Sequence, residues 1–152
     1  MLLQNYRNLT GKTRTEVARE LNCSARTLQE YENKDLAPPE IIMGMSKLYD
    51  KPEMVFKYCK KVCPIGKCFS HSVQNNDLPM STLKLIKEFN DVRPLIEKII
   101  AISADGEITS DEVADFEKSF KEILELEKAI QNLKISVSKN INLENIVQQI
   151  NE

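Results

Sequence analysis

No run of apolar residues in this chain approaches the ~18 that a membrane-spanning helix needs. The opening residues, Met1-Leu2-Leu3-Gln4-Asn5-Tyr6-Arg7, lack the charged-then-apolar layout of a secretory signal. These two absences lead us to expect a cytoplasmic protein with no membrane partner. There is a single histidine, His71, and no glycine-rich phosphate loop. Without these, and without a Ser-Lys self-cleavage pattern, an enzyme is not expected. Strict alternation of apolar and polar residues is also missing, so strands are not expected.

What is present is a chain of 152 residues, 41% hydrophobic and 29% charged, in the range of a soluble globular protein with one ordinary domain or two small ones. The net charge of −2 hides an uneven distribution. Residues 1–68 carry twelve Lys and Arg against eight Asp and Glu, a balance of +4, while residues 69–152 carry nine against fifteen, a balance of −6. A basic front half suits a polyanionic partner, which the acidic rear half would repel.

Apolar residues recur at spacings of three and four, so the chain is expected to be all-α. Breakers at Gly11-Lys12, Asn33-Lys34-Asp35, Pro38-Pro39, Asp50-Lys51-Pro52 and Pro64-Ile65-Gly66 divide the front into five helices. These fall near residues 2–9, 14–21, 25–32, 39–49 and 52–62. Thr13-Arg14-Thr15-Glu16 is a capping box, with Val17, Ala18 and Leu21 forming the apolar face behind it. Asn22-Cys23 makes a tight turn and Ser24 caps the next helix, whose Leu28 and Tyr31 point inward. Two short helices joined by such a turn have the layout of a helix-turn-helix.

Residues 64–79 read as a cysteine-containing linker between domains at 1–63 and 80–152. Beyond it, Met80, Leu83, Ile86, Phe89, Leu95, Ile96, Ile99, Ile100 and Ile102 predict a long amphipathic helix over about 80–103, bent or restarted at Pro94. A second, over about 110–138, is expected to be capped by Ser110 and to fold back through Asp105-Gly106 as an antiparallel hairpin. Residues 143–150 predict a last short helix or a frayed tail. The apolar stripes are wider than one hairpin covers, and the simplest partner is a second copy docked through residues 80–138. Residues 105–112 lack the spacing of a calcium loop, and their acidic groups suit a helix N-terminus without any ion.

The major groove of B-DNA admits one helix and presents distinct base edges to it. On the helix over 25–32, Arg26 can donate two bonds to guanine, Gln29 can pair with adenine, Glu30 can accept from cytosine, and Ala25 or Thr27 can meet a thymine methyl. Thr13, Arg14, Asn33 and Lys34 flank that helix and are candidate phosphate contacts. Glu32 is expected to be structural.

The ordered set Gly11-Lys12-Thr13-Arg14-Thr15-Glu16-Val17-Ala18, Leu21-Asn22-Cys23-Ser24, Thr27 to Asn33 and Pro38 resembles the Cro/phage-repressor (XRE) helix-turn-helix domain over about residues 1–62. The resemblance implies a five-helix repressor-like domain that binds double-stranded DNA, with positions 25, 26, 27, 29 and 30 facing the bases. Two residues depart from the family wording. Lys34 stands where a Gly follows Glu-Asn, so Asn33 or Lys34 is expected to hold the left-handed turn. Arg14 stands where Gln is usual. A weaker resemblance links Cys59-Lys60-Lys61-Val62-Cys63-Pro64-Ile65-Gly66 to regulators of Firmicutes chromosomes and prophages.

Cys59 and Cys63 are spaced i, i+4, and Cys68 and His71 follow. No cofactor is assigned, but three thiols and an imidazole could hold zinc or an iron–sulfur centre. A redox-sensing pair and ordinary thiols are the alternatives, and Lys57, Lys60, Lys61 and Lys67 would lower the thiol pKa values. The expected function is a sequence-specific transcriptional regulator, with a repressor favoured. The alternative is an antitoxin-like or adaptor module that binds protein.

Overall fold

The first helix starts without a cap of its own. Its free amides at Leu2 and Leu3 donate instead to the carboxylate of Asp35, at 2.8 and 2.9 Å. The computed structural model describes residues 1–151, with all side chains but that of residue 144. Every regular element among them is helical, as the apolar spacing predicts. The chain divides into two units, Met1–Val73 and Gln74–Glu152.

The first unit contains α1 (Leu2–Leu9), α2 (Arg14–Glu20), α3 (Ala25–Lys34), α4 (Pro39–Tyr49), α5 (Glu53–Lys61) and α6 (Pro64–Phe69). The five expected helices are present, within two residues of their predicted ends. The capping box is complete. Thr13 Oγ1 accepts from the Glu16 amide at 3.3 Å, and Glu16 Oε2 accepts from the Thr13 amide at 2.7 Å. Ser24 Oγ accepts from the Thr27 amide at 3.0 Å. Between α2 and α3, Asn22 takes a left-handed conformation (φ 51°) and the Cys23 amide closes onto Ala18 O at 2.9 Å. Leu3, Tyr6, Val17, Ala18, Leu28, Ile42, Met45, Tyr49, Met54 and Tyr58 make one continuous core drawn from all five of these helices. The Tyr58 hydroxyl ties down the loop before α4, donating to Ala37 O at 2.9 Å and accepting from its amide at 3.1 Å.

The left-handed residue after α3 is neither Asn33 nor Lys34 but Asp35 (φ 54°, ψ 30°). The helix runs two residues further than predicted, and Asp35 then turns its side chain onto the open end of α1. A short Asp tolerates this conformation better than Lys does. The front of the expected linker is helical instead, since residues 64–69 form α6. Pro64 sits in its first turn, where a missing N–H costs nothing. Gly66 lies against α5, where a Cβ would stand 2.2 Å from Cys59 O.

The second unit contains α7 (Leu78–Val92), a 3-10 turn (Arg93–Leu95), α8 (Ile96–Ile102), α9 (Val113–Val137) and α10 (Leu143–Ile150). Asp77 caps α7 by accepting from the Met80 amide at 3.0 Å. Pro94 restarts the helix through the 3-10 turn. The fold-back is antiparallel. Gln74, just before α7, donates its amide to Asn132 near the end of α9 at 2.8 Å, and Lys98 in α8 pairs with Asp115 near the start of α9 at 2.9 Å. Ser110 does not cap α9, which begins at Val113. The preceding turn is held by Thr109, whose hydroxyl and amide both donate to Glu112 Oε2 at 2.6 and 3.0 Å.

Candidate nucleic-acid interface

The candidate surface is the outer side of α3, and its inner side explains why the helix can hold a fixed pose. Leu28 fills the core, and one turn further along Glu32 is fully buried. Its carboxylate meets Arg7 of α1 through two contacts, Nε–Oε1 at 2.5 Å and Nη2–Oε2 at 3.2 Å. It also meets Arg14 at the start of α2, Nε–Oε2 at 2.7 Å. Three helices are therefore fastened through one side chain. Burial alone would raise the Glu32 pKa, but the bonds from Arg7 and Arg14 outweigh it and hold the carboxyl below its usual range. Arg7 also donates to Lys12 O at 3.0 Å, which fixes the loop into α2.

Ala25, Arg26, Gln29 and Glu30 are exposed, and Thr27 is half-buried. The Arg26 side chain is 90% exposed and lies 3.6 Å from Glu30, one turn along the same face. This exposed pair is weak enough to exchange for base edges. Thr27 is partly occupied, because its hydroxyl lies 2.8 Å from Ser24 Oγ. The candidate base-contacting residues thus occupy the outer side of one helix, whose first turn Ser24 caps.

The four candidate phosphate contacts divide. Asn33 and Lys34 are exposed on the last turn of α3. Thr13 is exposed, but its hydroxyl donates to Glu16 Oε2 at 2.8 Å. Arg14 is half-buried, and its Nε is bound to Glu32, so part of its guanidinium serves the fold. Two residues that matter here, Arg7 and Asp35, were given no role from sequence. Arg7 falls with Leu3 and Tyr6 on the buried stripe of α1. A cation on an apolar stripe signals a buried partner.

All four cysteines are free thiols: Cys23, Cys59 and Cys63 are half-buried and Cys68 is exposed. Cys59, Cys63, Cys68 and half-buried His71 do not converge on a point where one ion could reach three of them. The expected lowering of thiol pKa is overturned at Cys59, where burial, and secondarily Cys63, pushes it up. The nearby lysines are directed elsewhere. Lys60 Nζ donates to Lys67 O at 3.2 Å, Lys61 Nζ pairs with Asp35 at 2.9 Å, and Lys57 lies over the Tyr6 ring.

The chain matches no family model, no curated protein and no solved structure.

Proposed function

We propose that this protein is a sequence-specific DNA-binding transcriptional regulator, a cytoplasmic repressor of the Cro/phage-repressor type. It lays α3 along the major groove and acts as a homodimer through residues 80–138. The observation that carries this reading is the division of α3 itself. Its inner side is pinned by Leu28 and the Glu32 pairs, while Arg26 and Gln29 project into solvent on the outer side. A reading helix needs both properties, because base contacts specify sequence only when the helix presents them in a fixed register. Asn33 and Lys34 supply flanking contacts to phosphate, and the basic balance of residues 1–68 supplies long-range attraction.

The test is selection of bound sequences from random duplex DNA with the whole protein, followed by affinity measurement at two salt concentrations. The expected outcome is a recurrent site of two half-sites and an affinity that falls as salt rises. Arg26→Ala then weakens binding to that site by about 1–3 kcal/mol and relaxes the preference at one base pair. Recovery of no recurrent sequence, or an Arg26→Ala variant that binds the selected site as the parent does, would overturn the reading.

A further inference from the structure

On the outer side of α3 the sequence offers Glu30 two cations, each one turn away: Arg26 four residues before it and Lys34 four residues after it. In an isolated helix the later place is the better one for the cation, because a Glu that precedes its Lys also suits the helix dipole. The structure shows the opposite choice. Glu30 Oε1 lies 3.6 Å from Arg26 Nε, and among the described residues no ion pair joins Glu30 to Lys34. Arg26 meets the carboxylate through Nε alone. Its side chain is 90% exposed, which leaves the two Nη groups open.

We infer that Glu30 is a positioning residue for Arg26 and not a reader of cytosine. This deepens the DNA-binding reading above and rests on it. With Nε turned to a carboxylate, the two Nη groups form a fork of N–H donors, and that fork matches O6 and N7 of one guanine. Arg26 therefore reaches a base without giving up its partner. A guanidinium held on one edge has less rotamer freedom left to lose on binding. The pair is weak in water, as exposed pairs are. It tightens in a groove that excludes water, where the local dielectric is low. The carboxylate needs the arginine in turn, because an unpaired anion on this face is repelled by the phosphates. That repulsion acts on every DNA sequence alike, so what Glu30 contributes is discrimination and not affinity.

The experiment selects bound sequences from random duplex DNA with the full chain and with Arg26→Ala, Glu30→Ala, Glu30→Gln and the double variant R26A/E30A. Affinity is then measured for the selected site and for unselected duplex at one salt concentration. Arg26→Ala is expected to remove a guanine preference of about tenfold at one base pair. Glu30→Ala is expected to weaken the preference at that same base pair by about threefold, and to change nothing further once Arg26 is Ala. It is also expected to bind unselected duplex more tightly than the parent, because one anion is gone. A damaged fold would weaken both, so the opposite signs separate positioning from a merely structural role. Glu30→Gln keeps an oxygen that accepts from Nε and should recover part of the preference. Relaxation at a different base pair in Glu30→Ala, or effects of the two single variants that simply add, would show that Glu30 acts apart from Arg26. That result overturns the positioning role and leaves α3 as the reading helix. A parent that selects no recurrent sequence would overturn the DNA-binding reading and this inference with it.

Discussion

Leu28 in the first unit and Leu83 in the second sit on helices of similar amphipathic pattern, yet one is fully buried and the other is 62% exposed. The first unit gathers large apolar side chains from five helices into one core, and the polar side chains it buries include Arg7 and Glu32, which pair, with Ser46 and Glu53. The second buries Ser81, Ser119, Ala129 and Asn132 with Ile102 and Ile135, while Leu83, Ile86 and Phe89 of α7 stay in water. An amphipathic stripe therefore records which side of a helix requires cover. It does not record whether the cover comes from the same chain. Five helices can surround a stripe, whereas two antiparallel helices touch along a single line.

The largest effect that separates the units is expected at Glu32. Glu32→Ala leaves two cations without their shared anion and should cost about 3–5 kcal/mol, a large part of the stability of a small domain. Chemical denaturation followed by tyrosine near-ultraviolet signal, which the first unit dominates through Tyr6, Tyr31, Tyr49 and Tyr58, would show it. Loss of under 1 kcal/mol would mean that the set does not fasten the helices. The same group makes the first unit sensitive to acid. Burial tends to raise the pKa values of Glu32 and Asp35. The bonds from Arg7 and Arg14, and those from the Leu2 and Leu3 amides and Lys61, outweigh it and leave both below the usual carboxylate range. A depressed carboxylate stabilises fully above its unfolded pKa, ~4 for these side chains. That stabilisation is lost as pH falls through the folded value. The first unit should therefore lose structure below about pH 4, and Glu32→Gln should flatten that dependence. A parent whose tyrosine signal is unchanged from pH 7 to pH 2 would contradict this.

Next in size is the leucine pair. Leu28→Ala should cost about 2–5 kcal/mol through lost burial and a cavity. Leu83→Ala, measured at concentrations low enough to hold the chain as a monomer, should stay within about 0.5 kcal/mol. Equal costs at the two positions would erase the contrast between the units.

Much of the first unit was legible because its signals are local. Capping at Thr13 and Ser24, the turn at Asn22 and the inward spacing of Val17, Ala18 and Leu28 each act within a few residues, and each element formed where its signal lay. The outward placement of Arg26, Gln29 and Glu30 follows from the same helix period. What sequence missed is long-range. Asp35 closes α1 from 32 residues away along the chain, and Arg7 reaches Glu32 across 25. Arg14 reads as a phosphate contact from its place beside α3, whereas its Nε is bound to buried Glu32. In the second unit the helices and the Pro94 restart were readable, but the choice of buried residues was not. Nothing in a periodic stripe says that Ser81 rather than Leu83 will be buried. Pro64-Ile65-Gly66 was read as a breaker, although Pro begins a helix as readily as it ends one.

Gly66 gives a smaller and more local effect. With a Cβ only 2.2 Å from the Cys59 carbonyl oxygen, Gly66→Ala must push α6 off α5. The expected cost is about 1–3 kcal/mol, typical of overpacking. Hydrogen exchange should rise in residues 64–69 and stay unchanged in α1 to α4. Spread of the effect into α3 would show that α6 supports the candidate interface after all.

The smallest expected effect leaves stability untouched and concerns thiol reactivity at that same contact. Cys59 lies among four lysines in sequence, which suggests a lowered pKa, but burial and the neighbouring Cys63 raise it. The cations are held by Lys67 O, Asp35 and the Tyr6 ring, so none of these three contacts is to the sulfur. The thiolate is the reacting form, so Cys59 should alkylate on the order of tenfold more slowly than exposed Cys68 at pH 8. Mass spectrometry of a time course with iodoacetamide would resolve the two sites. Gly66→Ala should narrow the gap, because lifting α6 lets water reach Cys59. A Cys59 that reacts first in the parent would show that proximity in sequence to the lysines outweighs burial.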